Sequence, residues 1–269
     1  MIRITLTACL LTCQAAASHA QSKYTWLPKG GVVLEARQLN SAKQPNRMLV
    51  LWMLSPKKNP NNYKSDELYT CPDQTRGSYY SGPTRVSLID STTNRLIQTL
   101  KVIGTSEEGN DEVDLPYAIR KGSYYFVPGK TRPGLEVKPT IMFLKDYNGD
   151  GKALEFALFD APACMGLGTT LIGYSEDRDR VIQYPLELVV NENGKRTVTT
   201  NLWPDYLMSQ KPVKPGYWKY EIDYRGRAGS LDKWEVRYNA AKEKFEGTLT
   251  VITDEPLFSI KLKVNDAGK

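Results

Sequence analysis

The sequence predicts an all-β protein, and three observations carry the prediction. Residues that suit a pleated, half-buried surface are plentiful, with 16 Tyr and 5 Trp beside many Val, Ile and Thr. The apolar runs are short and are punctuated by the turn formers among 20 Gly and 16 Pro, together with Asn and Asp. No window keeps a helical period over a dozen residues.

Taken in order, the predicted strands are runs rich in β-branched and aromatic residues bounded by turn formers. Gly31–Gln38 and Arg47–Ser55 come first, and the second contains the longest unbroken apolar run, Met48 to Leu54. Thr84–Asp90 and Arg95–Ile103 follow, then Tyr124–Val127, Val137–Leu144, Glu155–Asp160 and Thr169–Ser175. Arg180–Val190, Arg196–Thr200, Tyr217–Tyr224, Lys233–Asn239, Phe245–Thr253 and Leu257–Val264 complete the set. The stretch 56–83, rich in Pro, Asn, Lys and Gly, reads as a long excursion, Gly104–Asp114 as a polar linker, and Trp203–Pro215 as a proline-bearing separator.

Three hairpins share one pattern: a strand ending in Asp90, Ser175 or Asn239, a four-residue turn, then Arg95, Arg180 or Lys244 opening the next strand. The first two hairpins each follow another strand pair and a cysteine-bearing connection. The pattern predicts antiparallel four-stranded units, propeller-like in arrangement, with a β-sandwich as the other solution. The units are a first at 21–103, a connecting segment at 104–136 with one short strand, a second at 137–190 and a C-terminal one at 191–269.

Residues 1–20 read as a signal peptide: Arg3 is basic, Ile4 to Leu11 is mostly apolar, and Ser18-His19-Ala20 is a small-x-small cleavage site. The protein is therefore expected to be exported, to the periplasm or beyond the cell. Leu6-Thr7-Ala8-Cys9 resembles a lipoprotein box, but the apolar stretch continues past Cys9, which favours cleavage after Ala20 over a lipid anchor. No later run reaches the roughly 20 apolar residues of a transmembrane helix. Cleavage leaves Cys71 and Cys164, which in an oxidising compartment most simply make one disulfide, worth about 4 kcal/mol for so long a loop, with two unpaired thiols as the other reading. It also removes His19, the one histidine, and with it the chemistry of Ser-His-Asp and Cys-His sites and of histidine-bound zinc. The remaining mild excess, 35 Lys and Arg against 30 Asp and Glu, suits an anionic glycan or cell-envelope polymer better than nucleic acid.

Asp146-Tyr147-Asn148-Gly149-Asp150-Gly151 sets oxygen side chains at alternate positions and closes them with a glycine, the pattern by which a short loop wraps Ca²⁺. Asp146, Asn148 and Asp150 are candidate side-chain ligands, Lys152 offers its carbonyl, and Glu155 is the next carboxylate. An EF-hand wants a bidentate Glu at the twelfth position, where Ala157 stands between predicted strands. The loop resembles instead the Asp-x-Asn-x-Asp-Gly loops of FG-GAP and VCBS-type repeats, over about fifty residues from Pro139 to Val190. Those families place an acid at the ninth position, where this chain has Leu154. Glu155 one place later implies a bulge or a different fifth ligand. The resemblance implies a binding or scaffold role with a structural Ca²⁺ and no particular chemistry. Without an ion, the same residues make an Asn-Gly-Asp-Gly hairpin turn.

The aromatic clusters at Tyr79-Tyr80, Tyr124-Tyr125-Phe126 and Tyr217 to Tyr238 are expected to fill inter-sheet cores, and interleaved Arg225, Arg227 and Arg237 leave sugar stacking as the other use. The leading functional expectation is a calcium-stabilised, exported binding or structural module. The alternative is a secreted carbohydrate-active hydrolase working through paired carboxylates, drawn from Asp205, Glu221, Asp223, Asp232 and Glu235.

Overall fold

The computed structural model describes residues 24–59, 75–104, 112–119, 140–163, 166–200, 203, 207, 210–225 and 229–253. The signal segment, Cys71, Cys164, and the expected strands Tyr124–Val127 and Leu257–Val264 lie outside the described residues. Among these residues the chain is all-β. No helix there is long and apolar enough to cross a membrane.

Fourteen strands are described: β1 (Gly31–Gln38), β2 (Arg47–Leu54), β3 (Lys57–Asn59), β4 (Thr75–Asp90), β5 (Arg95–Lys101), β6 (Glu112–Ile119), β7 (Glu155–Ala163), β8 (Gly166–Ser175), β9 (Arg180–Gln183), β10 (Leu186–Glu192), β11 (Lys195–Thr200), β12 (Tyr217–Asp223), β13 (Ser230–Asn239) and β14 (Lys244–Thr253). They form three sheets of six, five and three strands rather than sheets of four. In the first, β4 is the hub: its C-terminal half pairs with β2 and β5 and its N-terminal half with β3 and β6. The second runs β11-β10-β14-β13-β12, and the third β7-β8-β9. All pairings are antiparallel except β10 with β14.

The apolar run in β2 explains how the first sheet is covered. Successive side chains on a strand point to opposite faces. Leu49, Leu51 and Met53 join the main core, while Val50 and Trp52 pack with Tyr24, Leu27 and Ile89 on the other face. A strand buried on both faces reads as continuous rather than alternating. The main core is shared by all three sheets, through Leu88, Phe156, Leu171, Leu186, Trp218 and Phe245 among others. Phe245 is its aromatic centre, with Trp203, Tyr238 and Tyr184 rings at 5.1, 5.1 and 5.8 Å.

The three matched hairpins are β4–β5, β8–β9 and β13–β14, joined across Asp90↔Arg95, Ser175↔Arg180 and Asn239↔Lys244. Each four-residue turn ends on a left-handed residue: Asn94 (φ 57°), Asp179 (φ 45°) and Glu243 (φ 47°). Asp90 caps its turn by accepting from Thr93 N at 2.9 Å, and Asn239 accepts from Lys242 N at 3.3 Å. Short polar side chains that bond two or three residues ahead favour turns, so the first and third hairpins share this cap, while Ser175 Oγ donates instead to Glu243 at 3.2 Å.

Several expectations differ from the structure. The expected linker Gly104–Asp114 overlaps an unexpected strand, β6, which joins the first sheet, and the expected excursion 56–83 contributes β3 and the first half of β4. Arg180–Val190 is two strands, because Pro185 has no N–H to give a ladder. The chain leaves the three-stranded sheet at Gln183 and enters the five-stranded one at Leu186. Residues 140–144 of the expected strand Val137–Leu144 form no strand, because the Glu35 carboxylate takes the Ile141 and Met142 amides at 2.6 and 3.3 Å. The strand expected from Thr84 begins at Thr75, with the turn formers Gly82-Pro83 inside it. The separator Trp203–Pro215 enters the core: Trp203 and Leu207 are buried, and Trp203 meets Phe245 edge-on.

Candidate functional site

The loop expected to hold calcium begins where Lys145 and Glu155 exchange backbone hydrogen bonds, Lys145 N to Glu155 O at 2.8 Å and the reverse at 3.2 Å. Within it, the acidic and amide side chains fold the backbone around themselves. Asp146 Oδ1 accepts from Gly149 N at 2.7 Å and Oδ2 from Gly151 N at 3.0 Å. Asn148 Oδ1 accepts from Asp150 N, and Asp150 Oδ1 from Lys152 N, both at 2.9 Å. Gly149 and Gly151 take the positive φ values, 83° and 86°, that side chains resist.

Glu155 faces inward and is fully buried. Its Oε2 accepts from Tyr147 N at 2.9 Å and its Oε1 from Asn148 Nδ2 at 3.1 Å, so the side chain clasps the loop from beneath. Burial pushes its carboxyl up to about 8, against the lowering effect of the Tyr147 bond. Tyr147, also buried, stacks on Trp218 at 6.5 Å, and burial raises its phenol to about 12. The Lys152 ammonium turns away from the loop to Glu176, which also accepts from Ser41 Oγ. These two partners hold the Glu176 carboxyl down to about 2.

The loop is seated on the five-stranded sheet through glycines. A Cβ at Gly149 would stand 2.6 Å from the Pro215 carbonyl oxygen, and one at Gly216 2.5 Å from that of Asn148. Backbone therefore meets backbone where the loop touches the turn before β12.

Chemically, the loop can offer oxygen. An ionised carboxylate has about four lone-pair sites, and Asp146 uses two of them on amides. Asp146, Asn148 and Asp150 stand on one short loop with the Lys152 carbonyl, while Glu155 is committed to the interior. Among the described residues, no group of three or more His, Cys, Asp or Glu side chains is arranged to hold a metal ion. The inward turn of Glu155 was not anticipated. Its signal in the sequence is Phe156-Ala157-Leu158-Phe159 directly after it, a run apolar on both strand faces that leaves an opening Glu no solvent.

The register of β12 with β13 sets Glu221, Asp223 and Glu235 on one face and Asp232 on the other, and each has a local partner. Glu221 pairs with Lys233 at 3.3 Å, Asp223 with Arg225 at 2.7 Å, Asp232 with Ser230, and Glu235 with the Tyr217 hydroxyl at 3.2 Å. Asp205 lies outside the described residues. Of the aromatic candidates, Trp218 and Tyr238 belong to or pack on the core, Tyr220 stacks on Trp234 across β12–β13, and Tyr224 is exposed. The ring placements of Tyr79, Tyr80, Tyr124 and Tyr125 lie outside what is described.

No protein-family model, curated protein or solved structure matches the chain. The fold itself defines the class: among the described residues, an all-β arrangement of three sheets around a shared core, with a polar loop clasped between the three- and five-stranded sheets.

Proposed function

We propose that the protein is an exported, β-rich binding or structural module whose 146–152 loop is stiffened by Ca²⁺. In this reading Asp146, Asn148 and Asp150 supply side-chain oxygens and Lys152 its carbonyl, while Glu155 holds the loop to the core. The ion is structural. It neutralises acids already gathered by the turn and fixes the loop against Pro215–Gly216. The observation that carries the reading is this seat: the loop meets the second sheet through two glycines with no room for a Cβ at either. A loop so fitted is a joint between sheets, and stiffening a joint stabilises the whole fold. The common geometry of the three hairpin turns supports the accompanying view of the architecture as repeated, blade-like units.

The test is thermal unfolding of the secreted form, residues 21–269, in chelator and in millimolar Ca²⁺, with Asp150→Ala alongside. Calcium at about 100 times its Kd adds about 2.7 kcal/mol, a rise of roughly 5–10 °C for a chain of this size. Asp150→Ala should abolish the rise. No response in the unaltered protein would reduce the loop to a hydrogen-bonded turn and sink the reading.

A further inference from the structure

The six- and three-stranded sheets meet edge to edge, at β5 and β9, and two glutamines join them. Gln98 Nε2 donates to Val181 O at 3.1 Å while Val181 N donates to Gln98 Oε1 at 2.8 Å. Gln183 Nε2 donates to Ile103 O at 2.9 Å while Ile103 N donates to Gln183 Oε1 at 3.0 Å. Above this seam lies an open cleft of about 540 Å³, walled on its far side by the β13–β14 turn. That volume is in the range of a small-ligand site.

The lining has a definite chemistry. Lys101, Arg178, Arg180 and Lys242 contribute four cations to the lining; Arg178 engages the one lining carboxylate, Glu243, and Lys242 reaches Glu246 at 2.8 Å. Between them Leu100, Ile103, Ile182 and Pro185 give an aliphatic surface, with Ile103 39 % exposed. We propose that this cleft binds an acidic saccharide chain, its carboxylate or sulfate groups on the cations and its C–H faces on the aliphatic floor. The proposal rests on the binding-module reading and gives it a place and a ligand class.

Two observations favour a saccharide over other polyanions. A peptide that adds to a sheet needs free backbone groups at an edge. Here the glutamine amides have taken the N–H and C=O of Val181 and Ile103. A bilayer presents a broad surface, whereas the cations here line a recess between two sheets and a turn. The recess presents side-chain charge and aliphatic carbon, which suits a narrow chain bringing its own anionic groups.

The experiment is calorimetric titration of residues 21–269 with polygalacturonate, dextran sulfate, neutral dextran, polyglutamate and phosphatidylglycerol vesicles. The variants are Lys101→Ala with Arg180→Ala, Arg180→Ala alone, and a control removing two cations from the distant strand β11, Lys195→Ala with Arg196→Ala. The expected result is binding of an acidic polysaccharide that raised salt weakens. Its Kd should rise about tenfold in the seam double variant, by less in the single, and by under about twofold in the control. Unchanged thermal melts in the same buffers would show that the variants fold. Equal weakening by seam and control variants would overturn the site while leaving the binding module standing. Binding of polyglutamate or vesicles as tight as that of saccharide would overturn the ligand class. No binding to any probe would overturn both the cleft and the binding role, whereas the calcium-dependent melt reports on the loop separately.

Discussion

Gln98 and Val181 are held together by a ring of two hydrogen bonds, side-chain amide to main chain, that imitates one rung of a β-ladder between strands belonging to different sheets. Val181 is buried, so its main-chain groups have little access to water. The six- and three-stranded sheets are thereby continuous in hydrogen bonding without being continuous in backbone.

Removing this rung should be costly. Gln98→Ala leaves the Val181 N–H and C=O without partners, and a buried unsatisfied group costs about 1–3 kcal/mol. We expect a drop of that size in denaturant unfolding, with Val181 N–H losing hydrogen-exchange protection. A drop below about 0.5 kcal/mol would show that water replaces the amide there.

The three glycines around the loop should separate steric from conformational cost. Gly151 has a φ of 86° with nothing within 4 Å of a built Cβ, so Gly151→Ala should lose only about 1–2 kcal/mol of backbone strain. Gly149→Ala and Gly216→Ala add a Cβ within 2.6 and 2.5 Å of carbonyl oxygens, and should lose clearly more. Equal melting temperatures for all three variants would mean that the loop is not seated on Pro215–Gly216.

Arg47 joins the first hairpin to the second, reaching Asp179 at 2.5 and 2.7 Å and Asp90 at 3.4 Å. The Arg47 guanidinium, helped by the Tyr174 hydroxyl at 2.7 Å, holds the Asp179 carboxyl below its usual range. A folded value below the unfolded one of about 3.9 means that the pair stabilises above about pH 4, and that this stability is lost as pH falls through the folded value. Asp179→Asn keeps a side chain that tolerates the left-handed φ and removes the charge. It should cost about 1–3 kcal/mol at pH 7 and progressively less in acid, with the two unfolding curves converging as pH falls below the folded value of Asp179. A difference independent of pH would contradict the ion pair.

Phe245 is completely buried with four rings around it, so Phe245→Ala should cost about 3–5 kcal/mol. The tryptophan emission should report it, since Trp203 and Trp218 both contact the ring. A loss under about 1 kcal/mol would mean that the cluster collapses into the space.

Local pattern made most of the strands legible. Gly31–Gln38 is the strand in both accounts, and the three hairpins were readable because Asp90, Ser175 and Asn239 precede turns of one length. What escaped was decided by partners distant in sequence. Residues 140–144 carry strand-like side chains, yet the amides of Ile141 and Met142 answer to Glu35, some hundred residues earlier. Pro185 was visible, but a strand changing sheets could not be inferred without knowing that β14 waits beside Leu186. In the loop, the alternation of oxygen side chains was evident, whereas the seat on Gly216 and the inward turn of Glu155 depend on tertiary neighbours. The seam cleft had no signature at all, since Lys101, Arg180 and Lys242 come from three separate hairpins.

The parallel pairing of β10 with β14 puts the final described strand at the centre of its sheet, between hairpins made earlier in the chain. During synthesis the β10–β11 and β12–β13 pairs exist before anything can join them, and each exposes an edge that only β14 can cover. The five-stranded sheet is therefore completed by its keystone, which reaches β13 through a four-residue turn and β10 through contacts distant in sequence and slow to form. A chain cut before Lys244 would not lose a margin of the sheet; it would be parted down the middle, with two sticky halves in place of one closed surface.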